Sequence, residues 1–268
     1  MSQDLPPKPP VRSDVEAKPM AAVPPSKGSG GLAAVLIAVL AVVAVSAVCV
    51  IGILILLLLP AINAARSAAQ RNGSTNNVRN IALALMNYES THGKFPPQYT
   101  VDADGNPLHS WRTLLLPFLE ELSLYNQIDL DQPWDSGGNL GLATRQLPTF
   151  QSPRFRDPPE TTNYVAIAGE GMFFDGPKER TLRDIGDGIS NTIVIVEIQD
   201  SDIGWAEPRD LTWDEMQWAD AGGGPNSLPS AAVVGFADIH SRVITSDIDP
   251  QIFAAMLTIN GGEAVQPW

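Results

Sequence analysis

LLLLPAINAARSAAQ, residues 56–70, carries four leucines through Pro60 into alanines and Arg66 with nothing loop-like between them. Upstream, residues 31–59 (GLAAVLIAVLAVVAVSAVCVIGILILLLL) form a run of 29 residues without a charge. As a helix this run would span about 44 Å, against roughly 30 Å of membrane hydrocarbon. Downstream, Ala61, Ile62, Ala65, Ala68 and Ala69 recur at helical spacing. The expectation is one helix, a transmembrane helix over 31–59 that continues as a stalk helix over 60–90. A cleaved signal peptide fits less well, because its apolar core runs to only about 7–15 residues and ends at a small-residue site. Pro60 removes one backbone donor and crowds the preceding turn, so a kink is expected there.

The run NGSTNN, residues 72–77, predicts an interruption or cap in this helix. After it, Val78, Ile81, Ala82, Leu85 and Met86 fall on one face and predict a stalk that packs on a folded domain. Beyond THGKFPP (91–97) the pattern changes to short apolar runs set between Gly, Pro, Asn and Asp. TNYVAIAG (162–169), NTIVIVEI (191–198), AAVVGFAD (231–238) and SRVITSD (241–247) read as strands. Residues 110–127 read as a helix that Pro117 should break. Residues 249–260 read as a helix with Asp249 as N-cap and Pro250 at its first position. The fold class expected is α+β: an N-terminal transmembrane helix continuing into a stalk, then a mostly antiparallel, pilin-like β domain over 91–268.

Residues 1–30, rich in proline, serine and charge, read as a disordered tail with polyproline II character at PPKPP. Residues 91–268 hold 10 basic and 26 acidic side chains, a formal net charge of −16. Such a surface repels phosphate backbones, so no nucleic acid partner is expected. The one cysteine, Cys49, lies in the apolar run, so the folded domain has neither a disulfide nor a cysteine-based zinc site. Lys8, Arg12, Lys18 and Lys27 precede the anchor, and Arg66, Arg71 and Arg79 follow it. Lys27 beside the first apolar turn, and the acidity of the domain, favour a cytoplasmic N-terminus in the inner membrane with the C-terminal domain outside.

The blocks LLLPAINAAR, STNNVRNIALALMNYESTHGKFPP, SWRTLLLPFLEELSLYNQIDLDQPWDS, TNYVAIAG, DIGDGISNTIVIVE and GWAEPRDL occur in this order between about residues 54 and 263. Together they closely resemble a large planctomycete family of unknown function, whose members carry a prepilin-like N-terminus and a C-terminal H-x9-DG sequence. The resemblance implies a pseudopilin-like layout with no established reaction, and as partners the lipid bilayer and either other copies or other pseudopilin-like proteins. The chain departs from the pattern in three places. No G-F-T-L-I-E type cleavage site is present, and no acidic residue occurs between Glu16 and Glu89. Ser74 and Ser152 stand where the family commonly has cysteines, and the joint absence of both cysteines is what would follow if the two normally pair in the family. In GFADIHSRVI, Ile239 replaces the family glycine, and Leu228 occupies the position of the histidine.

The search for chemistry returns few candidates. His92, His109 and His240 lie in no metal-binding pattern such as H-E-x-x-H. DADGN (102–106) begins like a calcium loop, but Pro107 and Thr113 occupy the positions of the loop's glycine and bidentate glutamate, so a β-turn is expected. GDGISNT (186–192) reads as a glycine-dependent turn. Glu197, Glu207, Asp210 and Asp214 come close in sequence to Trp205 and Trp213. Aromatics beside carboxylates can hold sugars or cations. Trp205, Glu207, Asp210 and Trp213 are therefore the ligand-site candidates, against a reading in which the aromatics pack and the acids are solvated. No catalytic residue, cofactor or metal is assigned. The function expected is a non-enzymatic, membrane-anchored pseudopilin-like protein with a structural or interaction role at the cell envelope. The alternative is a tethered extracytoplasmic carbohydrate- or cation-binding module, with an extracytoplasmic hydrolase third.

Overall fold

The computed structural model describes residues 30–262, so the tail expected over residues 1–30 lies, but for Gly30, outside the described residues. Helix α1 runs Gly30–His92 through Pro60. The chain divides into two compact units, which meet between Leu59 and Pro60. In the first, the side chains of residues 31–59 are exposed along the whole helix. Its most apolar window has a mean hydropathy of 3.2 and is 0% buried. It is the one helix among the described residues long and apolar enough to cross a membrane.

The expected interruption at 72–77 does not occur, since α1 is helical throughout NGSTNN. Asn and Ser disfavour helix interiors because their side chains compete for the backbone, but here those side chains are engaged elsewhere. Ser74 is fully buried and its Oγ donates to Glu197. Asn77 Nδ2 donates to the carbonyls of Pro148 (3.1 Å) and Gln151 (2.9 Å). Gly73 is required by packing, because a Cβ there would come within 2.9 Å of Pro153 Cγ.

The folded unit is built on a four-stranded antiparallel sheet of β3 (Tyr164–Val165), β4 (Ile193–Glu197), β5 (Ala231–Phe236) and β6 (Ser241–Thr245), in that spatial order. Both faces are covered. Tyr164, Ala166, Ile195, Val233 and Ala237 join Val78, Ile81, Ala82 and Leu85 of α1 in one core cluster. Val165, Ile193, Val196, Val234 and Phe236 join Phe253, Met256 and Leu257 of helix α5 (Pro250–Leu257) in a second. Double burial explains why NTIVIVEI and AAVVGF are continuous apolar runs instead of alternating ones. The helix and sheet approach closely at Gly235, where a Cβ would lie 2.6 Å from Val78 Cγ1.

A hairpin and several short helices lie between α1 and β3. A hairpin joins β1 (Tyr99–Val101) to β2 (Pro107–Ser110). Its DADGN turn is closed by Asp102, whose Oδ1 accepts from the amides of Asp104 and Asn106 at 2.9 and 2.8 Å. Pro117 divides the next segment as expected, leaving α2 (Trp111–Leu115), a 3-10 turn at Leu116–Phe118 and α3 (Leu122–Tyr125). Helix α4 (Gly137–Ala143) was not expected from its glycines. It is held by buried Asn139, whose side chain bonds the backbone of Asp129, Gln132 and Pro133. Helix α5 begins as expected, with the amide of Gln251 donating to the Asp249 carboxylate at 2.8 Å.

The β5–β6 hairpin contains a conflict between sequence and backbone. Its loop puts Ile239 at φ +79°, a left-handed conformation that such loops usually give to glycine. A β-branched residue there is strained by about 1–2 kcal/mol. Ile239→Gly relieves this but frees the unfolded chain, which offsets about 0.5–1 kcal/mol. The expected outcome is a net gain of up to about 1 kcal/mol in denaturant titrations of the detergent-solubilised protein. A loss of stability would show that Ile239 contributes more by packing than it loses in strain.

Candidate functional site

The four sequence candidates belong to two different environments. Trp205 is buried in the core cluster on the α1 side of the sheet, and its Nε1 donates to the Arg145 carbonyl at 3.0 Å. Trp213 packs on the opposite cluster, with its ring 6.3 Å from that of Phe253. Glu207 accepts the Gly204 amide at 2.9 Å and so closes its own turn. Asp210 is buried and takes bonds from Arg112 Nη1 (2.7 Å), the Ala166 amide (3.0 Å) and Trp111 Nε1 (3.1 Å). The open cleft beside this loop, about 440 Å³, is lined by Arg209, Asp214, Glu215 and Asn226 among others, and by none of the four.

Arg112 is what gathers this loop. Its side chain is completely buried, and a guanidinium carries five N–H donors. Nε donates to the Trp205 carbonyl (3.0 Å), Nη1 to Asp210 and to the Tyr164 carbonyl (3.5 Å), and Nη2 to the carbonyls of Glu207 (3.2 Å) and Arg209 (2.7 Å). Five acceptors thus face five donors. Of the four, Asp210 by its carboxylate and Trp205 and Glu207 by their carbonyls wrap the buried arginine, whereas Trp213 does not. The signal for it was Arg112 itself, one charge set among the apolar positions of SWRTLLL.

A second buried charge ties α1 to the sheet. Glu197, at the end of β4, is fully buried. Its Oε1 accepts from Ser74 Oγ at 2.5 Å and from Ser152 Oγ at 2.7 Å. Its Oε2 accepts from Arg154, which forms an ion pair with it, and from the Val233 amide at 3.1 Å. Ser74 has one hydroxyl proton and gives it to Glu197, so the Tyr164 hydroxyl, 2.9 Å away, donates to Ser74. Burial pushes the Tyr164 hydroxyl pKa far above its ordinary value, which keeps that donor in place.

The histidines are scattered. His92 ends α1 and stacks on Tyr88, with ring centres 4.0 Å apart. His240 is half-buried, stacked on Phe236 and bonded to Asp238. His109 is buried, with Nε2 at 2.8 Å from the Gln132 carbonyl. Burial pushes its pKa down, so it stays neutral near pH 7. Among the described residues, no three His, Cys, Asp or Glu side chains gather as a metal site.

Residues 63–169 match the family model of a protein of unknown function, DUF1559. No curated protein and no solved structure matches the chain. The matched segment contains Ser74, Arg112, Ser152 and Tyr164. It ends before Glu197 and Asp210, the carboxylates that those residues hold.

Two measurements test these networks. Arg112→Met strands a buried carboxylate at Asp210, and the expected loss is about 3–5 kcal/mol in chemical denaturation. A loss below about 1 kcal/mol would mean that Asp210 is reached by water. Ser74 and Ser152 share one acceptor atom, so Ser74→Cys combined with Ser152→Cys should bring two sulfurs within bonding reach. An intramolecular disulfide is expected on mild oxidation, read as a reduction-sensitive change in gel mobility. Two thiols that remain free would show that their backbones lie too far apart.

Proposed function

We propose that this is a non-enzymatic, membrane-anchored pseudopilin-like protein with a structural or interaction role at the cell envelope. The observation that supports it is helix α1. Over residues 31–59 it is apolar and exposed to its surroundings. Over 74–85 it supplies Ser74, Val78, Ile81, Ala82 and Leu85 to the interior of the folded unit. A segment that both anchors and builds a core is the layout implied by the pseudopilin-like resemblance. The chain keeps its anchor in this reading, since it lacks the prepilin cleavage site. The N-terminus faces the cytoplasm, the folded unit lies outside the inner membrane, and the partners are the bilayer and further copies of this or similar proteins.

Crosslinking of the full-length protein in native membranes is expected to give dimers and higher species, and co-expression with prepilin peptidase to leave gel mobility unchanged. A monomer at all crosslinker concentrations would overturn assembly, and a mobility shift would overturn the permanent anchor. The second reading, a tethered binding module, is favoured by one observation: an open cleft of about 610 Å³ on the folded unit is polar and is lined by residues other than the four sequence candidates.

A further inference from the structure

That cleft, about 610 Å³ and open to solvent, is lined by Lys178, Arg180 and Arg183 together with Glu170, Asp184 and Asn260, among others. Three cations in one cleft are conspicuous where only 10 serve the whole of residues 91–268 against 26 acids. Their environments differ. Arg180 is about nine-tenths buried. Its Nη2 donates to Asp175 at 3.0 Å and to the Met172 carbonyl at 3.4 Å. Its Nε has no acceptor. An unfilled donor on a buried guanidinium is costly unless something accepts from it. Lys178 lies 3.6 Å from Asp175, which already pairs with Arg180. Arg183 is exposed and makes no ion pair among the described residues.

The carboxylates of the cleft are partly committed. Asp184 Oδ2 accepts from the Thr181 amide (2.7 Å) and the Thr181 hydroxyl (2.8 Å). The opposite wall is fixed in place. The Ile259 amide donates to the Gly171 carbonyl at 3.0 Å, and Asp187 accepts the amides of Gly261 (2.7 Å) and Gly262 (2.9 Å). Gly186 lets the wall close: a Cβ there would meet Asn260 Oδ1 at 2.4 Å. The cleft is therefore a preorganised polar groove, with a half-satisfied arginine in one wall and a free arginine beside it.

We infer that this cleft binds the carboxylate of an acidic, hydroxyl-bearing ligand of the uronic acid class, with Arg180 and Arg183 as the carboxylate contacts. A guanidinium fork matches a carboxylate in plane and in spacing. Asp175 is spent on Arg180 and Lys178, so Arg183 is the cation left for one negative charge, whereas a dianionic phosphate meets more repulsion from Glu170 and Asp184. Thr258 and Asn260 supply neutral polar groups for hydroxyls. The inference gives the binding-module reading a site and a ligand class, and rests on that reading; it does not depend on self-assembly.

The test is titration of the full-length protein in detergent micelles, by ligand-observed NMR, with D-glucuronate, D-glucose, inorganic phosphate and calcium. Saturable glucuronate binding is expected, with a dissociation constant on the order of 1 mM, weaker phosphate binding and no glucose binding. Arg183→Gln, at an exposed position, should weaken glucuronate several-fold without altering the fold, and Arg180→Gln should abolish binding. Because Arg180→Gln removes a buried ion pair, its circular dichroism and melting are compared with wild type, and Arg183→Gln alone decides if it unfolds. Glucuronate binding unchanged in Arg183→Gln, or phosphate binding tighter than glucuronate, overturns the inference. Saturable glucose or calcium without glucuronate overturns it while sparing the binding-module reading, and no saturable ligand overturns both.

Discussion

The contact on which the folded unit depends is the seat of α1 on β5, where Val78 stands against the missing side chain of Gly235. A helix that lies this close to a strand fixes what its neighbours on the same face can reach. Ser74, one turn before Val78, meets Glu197 on the adjacent strand. Ile81, Ala82 and Leu85, in the following turns, complete the wall of the first core cluster. The sheet is then closed from the other side by α5, so the buried residues of β4 and β5 must be apolar or must bring their own hydrogen-bond partners. Glu197 is the polar exception in β4, and it is surrounded by donors.

The two buried charges solve the same problem in different ways. A charge removed from water is tolerated only if its bonds are replaced. Arg112 is satisfied chiefly by carbonyls, and carbonyls come from backbone, so satisfying it obliges the segment 205–209 to turn its peptides inward. Glu197 is satisfied by donors from three separated parts of the chain, Ser74 on α1, Ser152 and Arg154 before β3, and the Val233 amide of β5. Where the resemblance places two cysteines, this chain has two hydroxyls on one carboxylate oxygen. This hydrogen-bonded clamp joins α1 to the sheet without a covalent link.

What the sequence disclosed follows from this physics. Long apolar periodicity announces itself, so the apolar helix of residues 31–59, the buried face of α1 beyond it, the four sheet strands and α5 with its Asp249 cap were legible. The expected break at NGSTNN was absent because propensity is a weak local preference, and Ser74 and Asn77 have distant partners that no local window contains. The site was less legible still. Trp205, Glu207 and Asp210 are close in sequence and close in space, yet they face an arginine about a hundred positions earlier. Trp213, three residues beyond Asp210, packs on the other side of the sheet. Adjacency in a loop does not say which face a side chain will take, and only the pairing of Arg112 with Asp210 decides it.

The placement of cations completes the argument. In a domain with 26 acids, a basic side chain should find a carboxylate readily, and several do. Arg112 and Arg154 are spent inside, on Asp210 and Glu197, while Lys94 and Arg209 pair on the surface. Lys178 and Arg180 instead share one aspartate, and Arg183 beside them has none. Asp184, next to them, has its carboxyl pKa pulled below the ordinary value, first by the Thr181 hydrogen bonds and then by the charges of Arg180 and Lys178. Arg183 is thus a cation without a carboxylate partner among the described residues of a strongly acidic domain. Concave walls concentrate the field of an unpaired charge, which is the ground for reading Arg183, beside Arg180, as an anion contact.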